Sequence, residues 1–369
     1  MIFSIVNYPR LIIKSYIFYI RNLQLIAILK FSLFWPLILS LSIINNTFLM
    51  LDYLFFNFKN IVIKSPLFII GFPRSGTTFL HKVISDDSQF TTAKFWELMF
   101  APSIAQKYIF NLIFIVLRPF NGISFFKKIF NVLLADESNK FHEIRFDNPE
   151  EDYLALVPQG ACFLLVLFMP INDIWKLNDF DNSFDEKSKN KLMRIYKRFI
   201  QRHLYFHGIN KIYLSKNPSF TSMSRSLKKY FPDCCQIGCH REPHKAIPSL
   251  LSSMEHGYKM MSRSILDYND IELYVNMYKN YYHILIEQNR INNNFLLIKM
   301  NELKNDLEDT ISNIYKKFDF MQSMDFQKKI SIQSNESKKY ISKHNYNLNN
   351  FNLNETNIKN DFSDYYKSE

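Results

Sequence analysis

The sequence predicts a three-layer α/β fold with a central parallel sheet, a mostly helical insert and a helical N-terminal extension. Several short apolar segments, each bounded by polar breaks, are predicted strands. They are PLFIIGF, KIYLSK, CQIGCH and NFLLIKM. Segments with helical periodicity, such as TTFLHKVI and HKAIPSLLSSMEHGY, separate them. Strands that alternate with helices favour a parallel sheet whose ligands bind at the carboxyl ends of the strands.

Length and composition allow one large domain with an appendage, or two small domains, in 369 residues. Hydrophobic residues make up 47% of the chain, with 36 Phe against 7 Gly, so a sizeable core is expected. The formal net charge of +11 favours an anionic ligand or surface. The basic residues are scattered and accompany no stacking motif, so no nucleic-acid partner is expected.

The cysteines do not indicate a disulfide framework, because there are only four in a chain of this length. Cys234, Cys235 and Cys239 lie in CCQIGCH, a predicted strand whose neighbouring side chains point to opposite faces. We therefore expect small buried hydrophobes there rather than a metal cage, and no metal site is predicted.

Residues 1–60 are predicted to form an apolar helical extension. Residues 23–44 read LQLIAILKFSLFWPLILSLSII, and about 20 apolar residues suffice to cross a bilayer. Lys30 and Pro36 interrupt this apolar run. Four basic residues suit a helix in a lipid interface: Arg10, Lys14, Arg21 and Lys30. The predicted location is cytoplasmic, with peripheral or anchored membrane attachment through residues 1–60, and the alternative is a hairpin packed on the main domain.

Residues 61–369 are predicted to form the main domain. Residues 101–206 are mostly helical and apolar in pattern, which indicates an inserted cap over the sheet. The Asn-rich residues 345–360 contain recurring aromatic side chains, and we expect this segment to be ordered.

The stretch GFPRSGTT, residues 71–78, is typical of a phosphate-binding loop of the P-loop type. Gly71 and Gly76 have the spacing of G-x-x-x-x-G-K-[ST], but Thr77 stands where that motif has its Lys. A strand, a tight turn and a helix would place loop amides at a helix N-terminus, where an anion is favoured. Arg74 supplies a cation inside the loop that can hold two oxygens. Mg²⁺-ATP would need the missing Lys and a Walker-B Asp, so the loop favours a less charged, metal-free group such as a 5′-phosphosulfate.

The stretch CHREPHKAIPSLLS supplies a second anion-binding pair. Arg241 ends a predicted strand, and Ser249 follows eight residues later in the next predicted helix. An extended turn followed by a helix lets both side chains reach one phosphate near the end of the strand.

Together with this pair, GFPRSGTT resembles the sulfotransferases that use 3′-phosphoadenosine-5′-phosphosulfate. The form is similar to the bacterial sulfotransferase family related to the protein-tyrosine sulfotransferases. The resemblance runs from about residue 66 to the C-terminus. It includes YLSKNPSF, FPD and HREP, which match the K-x-P, FP-D and R-[DE]-P blocks of that family in order. NPEEDYLAL and HNYNLNNF…DFSDYY also resemble family features.

The resemblance implies 3′-phosphoadenosine-5′-phosphosulfate as co-substrate and no requirement for a metal. The loop would bind the 5′-phosphosulfate, and Arg241 with Ser249 the 3′-phosphate. Lys216, in SKNP, would contact the sulfuryl group or the bridging oxygen. The alternative interpretation is that Lys216 is a solvent-exposed residue at the end of a strand. The implied co-substrate-binding residues are Arg74, Ser75, Gly76, Thr77, Thr78, Arg241 and Ser249.

Sulfuryl transfer to an alcohol also needs a general base near the acceptor hydroxyl. Glu97, in KFWEL, stands 23 residues after Arg74 and is the first candidate, and burial beside Trp96 is expected to raise its pKa. His142 and Glu151 are the alternatives. The run of acids from 150 to 152 after a Pro is otherwise typical of a solvated helix start. The predicted catalytic residues are Glu97, Lys216, Arg74 and His142.

The predicted function is transfer of a sulfuryl group to a hydroxyl acceptor by in-line displacement. The apolar insert and N-terminus favour a lipid or a membrane-proximal glycan as acceptor, with protein tyrosine still open. Two other classes of protein are alternatives to a sulfotransferase. One is a P-loop kinase or nucleotidase, against which the missing Lys argues. The other is a non-catalytic, membrane-attached nucleotide-binding protein.

Overall fold

Five parallel strands form one sheet in the order β2-β3-β1-β4-β5. The structure is a computed structural model that describes residues 8–120, 145–263, 266–339 and 348–367. The strands are β1 (Leu67–Gly71), β2 (Phe90–Thr91), β3 (Ile212–Lys216), β4 (Cys235–His240) and β5 (Phe295–Lys299). The predicted parallel sheet is confirmed, and β2 is a two-residue edge strand that the sequence pattern did not indicate.

Helices cover both faces of the sheet and build the N-terminal extension. They are α1 (Tyr8–Arg21), α2 (Leu25–Phe55), α3 (Thr77–Ser85), α4 (Phe95–Met99), α5 (Ile104–Leu117), α6 (Asn172–Trp175), α7 (Phe180–Ser183), α8 (Glu186–His207), α9 (Ser224–Tyr230), α10 (Pro243–Met260), α11 (Tyr268–Ile291), α12 (Met300–Asn305), α13 (Leu307–Phe318), α14 (Met324–Lys339), α15 (Glu355–Asp361) and α16 (Ser363–Lys367). Short 3₁₀ segments include Phe58–Asn60, Asp152–Gln159, Phe163–Leu167 and Pro218–Met223.

The three layers follow from the alternation of side chains along β1, all five of whose residues are buried. Phe68 and Ile70 point into one apolar cluster, which also receives residues from α1, α8 and α11. Leu67 and Ile69 point into the other cluster, which is built with residues of α3, α13 and α14. A strand buried on both faces is typical of the centre of a parallel sheet.

The strand order places a crevice at the carboxyl end of β1. From β1 the chain passes to β2 and β3 on one side of the sheet, then crosses to β4 and β5 on the other. In open parallel sheets, ligands bind at such a switch point. The glycine-rich loop begins there.

The N-terminal extension is a helical hairpin that contacts the main domain. α2 is a continuous helix of 31 residues that includes both Lys30 and Pro36. Asp52, near the end of α2, is buried and forms an ion pair with Arg202 of α8, with 2.8 Å between Oδ2 and Nε. By length and composition alone, α2 is long and apolar enough to cross a membrane.

The described cysteines are buried free thiols, as expected: Cys162, Cys234, Cys235 and Cys239.

Candidate active site

The loop between β1 and α3 presents backbone N–H groups at a helix N-terminus. α3 begins at Thr77 after Gly76, which has a φ of 87°. The first hydrogen bond within this helix runs from the Leu80 N–H to the Gly76 carbonyl, at 3.0 Å. The amides ahead of it have no partner within the helix, and with the helix dipole they favour an anion.

Close packing against β4 explains why this loop requires a glycine at its start. Gly71 has a φ of 127°, and a Cβ there would lie 2.0 Å from the Cys239 carbonyl oxygen. The Phe72 N–H donates to that same oxygen at 2.8 Å. The Ser75 hydroxyl donates to the carbonyls of Phe72 and Cys239, at 2.6 and 3.0 Å. The Ser75 side chain therefore stabilises the loop, which leaves its backbone N–H to face a ligand.

Arg74 and Ser249 meet directly at the site. Arg74 has a φ of 65°, an uncommon conformation for a residue with a side chain. Its Nε donates a hydrogen bond to the Oγ of Ser249 on α10, at 3.0 Å. The loop and the downstream helix thus come together at this position.

Arg241 lies within electrostatic range of the same region. Tyr278 of α11 donates a hydrogen bond to the carbonyl of Pro73 at 2.7 Å. Burial raises the pKa of the Tyr278 phenol, and the charges of Arg74 and Arg241 act in the opposite direction. The positive charges of both guanidinium groups therefore act on one hydroxyl beside the loop, and charges of this sign suit an anionic ligand.

Lys216 ends β3 and is buried, not solvent-exposed. Its Nζ lies 2.9 Å from a carboxylate oxygen of Glu151 and 3.9 Å from one of Glu150. Burial alone would lower the pKa of the ammonium group, but Glu151 and Glu150 more than offset this, and the pKa is raised. Lys216 is therefore protonated and paired at the carboxyl edge of the sheet.

The run of acids from 150 to 152 begins a helical segment, the 3₁₀ helix Asp152–Gln159, but Glu150 and Asp152 are buried, so the expected solvation is wrong. The Glu150 N–H donates to the Ala93 carbonyl at 3.1 Å, which draws this segment across the ends of the strands. Asp152 is buried and accepts hydrogen bonds from the hydroxyls of Tyr196 and Tyr213. Burial raises its pKa to about 6, and these hydrogen bonds act against that rise. The contacts with Lys216, Tyr196 and Tyr213 are distant in sequence, so the local pattern did not reveal them.

His81 is a second buried group that the sequence analysis missed. It lies on α3, and its Nε2 is 2.7 Å from the hydroxyl of Thr92. Burial and the nearby charge of Lys216 lower the pKa of the imidazole to about 3, while Glu150 acts to raise it. The ring is therefore neutral at physiological pH. Its position among the buried residues Leu80, Val83 and Ile84 of α3 was the only sequence pattern that pointed to it.

Glu97 is fully buried in a different ion-pair cluster. Its Oε1 lies 2.6 Å from His207 Nε2 and 3.3 Å from Lys107 Nζ, and its Oε2 accepts from the Lys94 N–H at 2.9 Å. Burial alone would raise the pKa, but Lys107, His207 and His203 together hold the pKa of this carboxyl well below its usual range. The direction is opposite to the raised pKa that the sequence predicted. The carboxylates that raise the pKa of Lys216 are those of Glu150, Glu151 and Asp152.

The cluster around Glu97 also contains metal-ligand atom types. One ligand atom from each of Glu97, His203 and His207 lies within 4.8 Å of the others. The Lys107 ammonium lies in the same cluster, 3.5 Å from His203 Nδ1, and already neutralises the carboxylate. We therefore assign these residues to an internal ion pair.

Two further predicted site residues lie at the start of α3. Thr77 is buried and Thr78 is exposed at the start of α3. His142 lies outside the described residues.

A comparison with known families identifies the class of protein. The profile of the sulfotransferase family matches residues 66–322, more than half of the chain. The chain belongs to the sulfotransferase family. No curated protein matches the sequence significantly.

Solved structures share the fold. A sulfotransferase from Mycobacterium avium, STF9, has a TM-score of 0.68 at 19% identity, over 87% of this chain and 81% of that one. The sulfotransferase STF1 from Mycobacterium tuberculosis H37Rv has a TM-score of 0.64 at 16% identity, over 88% and 82% of the two chains. At these identities the likeness establishes the α/β fold.

Proposed function

We propose that this sulfotransferase moves a sulfuryl group from 3′-phosphoadenosine-5′-phosphosulfate to a hydroxyl acceptor. The observation that carries the proposal is the 3.0 Å hydrogen bond between Arg74 Nε and Ser249 Oγ. It joins the glycine-rich loop to the downstream Arg–Ser block, so a nucleotide with phosphate groups at both its 5′ and 3′ positions has donors for each.

In the proposed complex, the loop amides and Arg74 bind the 5′-phosphosulfate through charge-assisted hydrogen bonds. Thr77 and Thr78 add hydroxyl donors. Arg241 and Ser249 bind the 3′-phosphate. The missing P-loop Lys fits this donor because a phosphosulfate carries less charge than a triphosphate with Mg²⁺.

The proposed reaction is an in-line displacement. A base removes the proton from the acceptor hydroxyl as its oxygen forms a bond to the sulfuryl sulfur. The bond from sulfur to the bridging oxygen breaks, and its electron pair leaves on adenosine 3′,5′-bisphosphate. Arg74, the loop amides and Lys216 stabilise the charge that develops on the equatorial and bridging oxygens.

Glu151 is the base that the geometry favours. It is paired with Lys216 at 2.9 Å and its side chain retains 19% exposure, so it can meet an acceptor. Glu97, which the family resemblance implies, is the alternative. It is fully buried and would first exchange its contacts with Lys107 and His207 for the acceptor hydroxyl.

The proposed acceptor is a lipid or glycan hydroxyl, and the proposed location is the cytoplasmic side of a membrane, with attachment through residues 1–60. The support is the apolar character of that extension and of the apolar helix Ile104–Leu117.

The test is transfer of labelled sulfate from the donor to a panel of lipid, glycan and tyrosine acceptors. Wild type is compared with Arg74→Ala, Glu151→Gln and Glu97→Gln, with Ser252→Ala on α10 as control. We expect Arg74→Ala and at least one carboxylate variant to lose most activity, while the control retains it. Undiminished transfer by Arg74→Ala would overturn the proposal. Mg²⁺-dependent ATP turnover would favour a kinase or nucleotidase, and bisphosphate binding without transfer to any acceptor would favour a non-catalytic binder.

A further inference from the structure

α2 exposes a row of large apolar side chains along its full length. Ten of them are at least half exposed: Leu25, Ile26, Leu29, Leu33, Leu37, Ile43, Ile44, Met50, Leu54 and Phe55. The buried positions of the same helix are Ala27, Phe31, Trp35, Ser42, Asn45 and Asp52. Soluble monomers rarely expose a contiguous apolar patch of more than a few hundred Å², so a row of this length indicates an interaction surface.

Two neighbouring helices extend this surface. On α5, Leu112, Ile115 and Val116 are exposed by 58% or more, and α5 is joined to α2 by polar contacts. The Asp52 carboxylate accepts from the N–H groups that begin α5, at 3.0 and 3.2 Å. The Gln106 side chain donates to Asn45 at 2.8 Å.

On α1, the exposed apolar residues are Ile13, Ile17 and Ile20. Tyr16 of α1 is hydrogen-bonded to Ser32 of α2 at 2.7 Å. We call the exposed apolar side chains of α1, α2 and α5 the apolar face.

The exposed charges on the three helices of the apolar face are basic, and two of them, Arg10 and Lys14, are paired with Asp173 of α6. On α1, α2 and α5, the charged side chains that are not buried are all cationic: Arg10, Lys14, Arg21 and Lys30. The acidic residue on these helices, Asp52, is buried against Arg202. Basic residues that border an apolar surface complement the anionic lipids of a bilayer.

Contacts along α2 hold this helix against the main domain, and this limits how it can meet a bilayer. Lys30 Nζ donates to the Met260 carbonyl at 2.7 Å, and Asn45 donates to the Met99 carbonyl at 2.9 Å. Asp52 is held by Arg202 at 2.8 Å. These contacts span 22 residues, or about 33 Å of helix. A helix that crosses a hydrocarbon core of about 30 Å is surrounded by lipid over that length, so α2 could not span a bilayer and keep all three contacts with the domain.

We propose that α1, α2 and α5 form one docking face that lies in the interface of an anionic bilayer, with α2 parallel to the membrane plane. This goes beyond attachment through residues 1–60, because it assigns an internal helix to the same surface and excludes a spanning arrangement. It does not depend on the chemistry of the active site.

Flotation with vesicles of phosphatidylcholine, with and without phosphatidylglycerol, tests the face. Leu29→Ser/Leu33→Ser/Leu37→Ser on α2 and Leu112→Ser/Ile115→Ser/Val116→Ser on α5 should each lower the bound fraction about tenfold or more. The matched control is Ile209→Ser/Ile291→Ser/Ile332→Ser, three exposed apolar residues on other parts of the chain. It should bind vesicles as wild type does. Equal melting temperatures establish that each variant is folded.

Three outcomes of this experiment would overturn the proposal. One is wild-type flotation of the α5 variant, which would remove the internal helix from the face. The second is binding that does not depend on phosphatidylglycerol. The third is a stable dimer that does not bind vesicles and that the α2 variant converts to monomer, which would assign the face to a second copy of the chain.

The orientation of α2 is tested with single cysteines at exposed polar positions just beyond its two ends, Asn22→Cys and Asn57→Cys. The four described native thiols are buried, so the introduced thiols can be labelled selectively. In sealed membrane vesicles, a membrane-impermeant thiol reagent should reach both positions from the same side. Labelling of the two positions from opposite sides would establish a spanning helix and contradict the proposal.

Discussion

The Nε of Arg74 and the Oγ of Ser249, 175 residues apart, form a hydrogen bond of 3.0 Å. Arg74 lies in the loop after the central strand, and Ser249 lies on the helix that follows the neighbouring strand β4. Adjacent parallel strands bring their carboxyl ends together, so two segments that are far apart in sequence, both proposed to bind anions, meet at one place.

Ser249→Ala should weaken the binding of adenosine 3′,5′-bisphosphate, because the hydroxyl is proposed to donate to the 3′-phosphate. Hydrogen bonds to charged groups contribute about 1.5–3 kcal/mol, so the Kd should rise roughly 10- to 100-fold. Isothermal titration calorimetry measures this change. Ser252→Ala, on the same helix, should bind as wild type does. An unchanged Kd for Ser249→Ala would remove this residue from the site.

Glu151→Gln should lower kcat about 10²- to 10⁴-fold if Glu151 is the general base, with little change in donor affinity. The amide retains the size of the side chain but cannot take a proton. Steady-state kinetics with the best acceptor, together with the Kd for adenosine 3′,5′-bisphosphate, separates the two effects. A variant with normal kcat, alongside an inactive but fully folded Glu97→Gln, would assign the base to Glu97 instead.

Glu97→Gln should destabilise the fold by about 3–5 kcal/mol, because it leaves the buried Lys107 ammonium without its counter-charge. The double variant Glu97→Gln/Lys107→Met should recover much of this loss. Urea unfolding at neutral pH measures both. A Glu97→Gln variant as stable as wild type would show that the ion pair contributes little.

The same ion pair has a defined pH dependence. The folded pKa of Glu97 lies below its unfolded value near 4.5, so its contribution is complete above that pH and is lost as the pH falls towards the folded pKa.

Asp152→Asn should flatten the pH dependence of stability between about 4 and 6. The folded pKa of Asp152 is about 6 and its unfolded value is 3.8, so in this range the folded state binds a proton that the unfolded state has lost. This group therefore makes the wild type less stable as the pH rises. Urea midpoints across that range, compared with the exposed-site control Asp325→Asn, give the difference. Parallel curves for wild type and Asp152→Asn would contradict the raised pKa.

Gly71→Ala should prevent formation of the loop, because a Cβ would lie 2.0 Å from the Cys239 carbonyl oxygen. Gly208→Ala is the matched control. Gly208 also has a positive φ, 133°, but the nearest atom to its Cβ would be a flexible side-chain carbon of Lys211 at 3.4 Å. The melting temperature and the affinity for adenosine 3′,5′-bisphosphate should fall strongly in Gly71→Ala and stay close to the wild-type values in Gly208→Ala. If the two variants are equally stable, the strain at positive φ, and not the contact with β4, explains why position 71 requires glycine.

The central part of the fold could be predicted because its determinants are local. β1, the loop and α3 are consecutive in the chain, and their apolar run, glycine spacing and helical periodicity are visible in about twenty residues. The sequence assigned Arg74 and Ser249 to opposite ends of one nucleotide, and it did not predict the hydrogen bond between them.

Other features could not be predicted because their partners are distant in sequence. Glu97 adjoins Trp96 in the chain, which suggested a raised pKa, but its charge is set by Lys107 and by two histidines of α8. The acids at 150–152 have the local pattern of an exposed helix start, and Lys216 of β3 holds them at the sheet edge. In α2, packing on the domain sustains a helix through Pro36 that local propensity alone would end.

The Ser75 hydroxyl donates hydrogen bonds to the carbonyls of Phe72 and Cys239. These contacts within the protein hold the loop in place. The proposed anion-binding loop is thus preorganised, and it would lose little conformational entropy when the proposed nucleotide binds. A rigid template of this kind selects by the spacing of the phosphate groups. Nucleotides whose second phosphate sits at the 2′ position should therefore bind more weakly, even though their charge is the same.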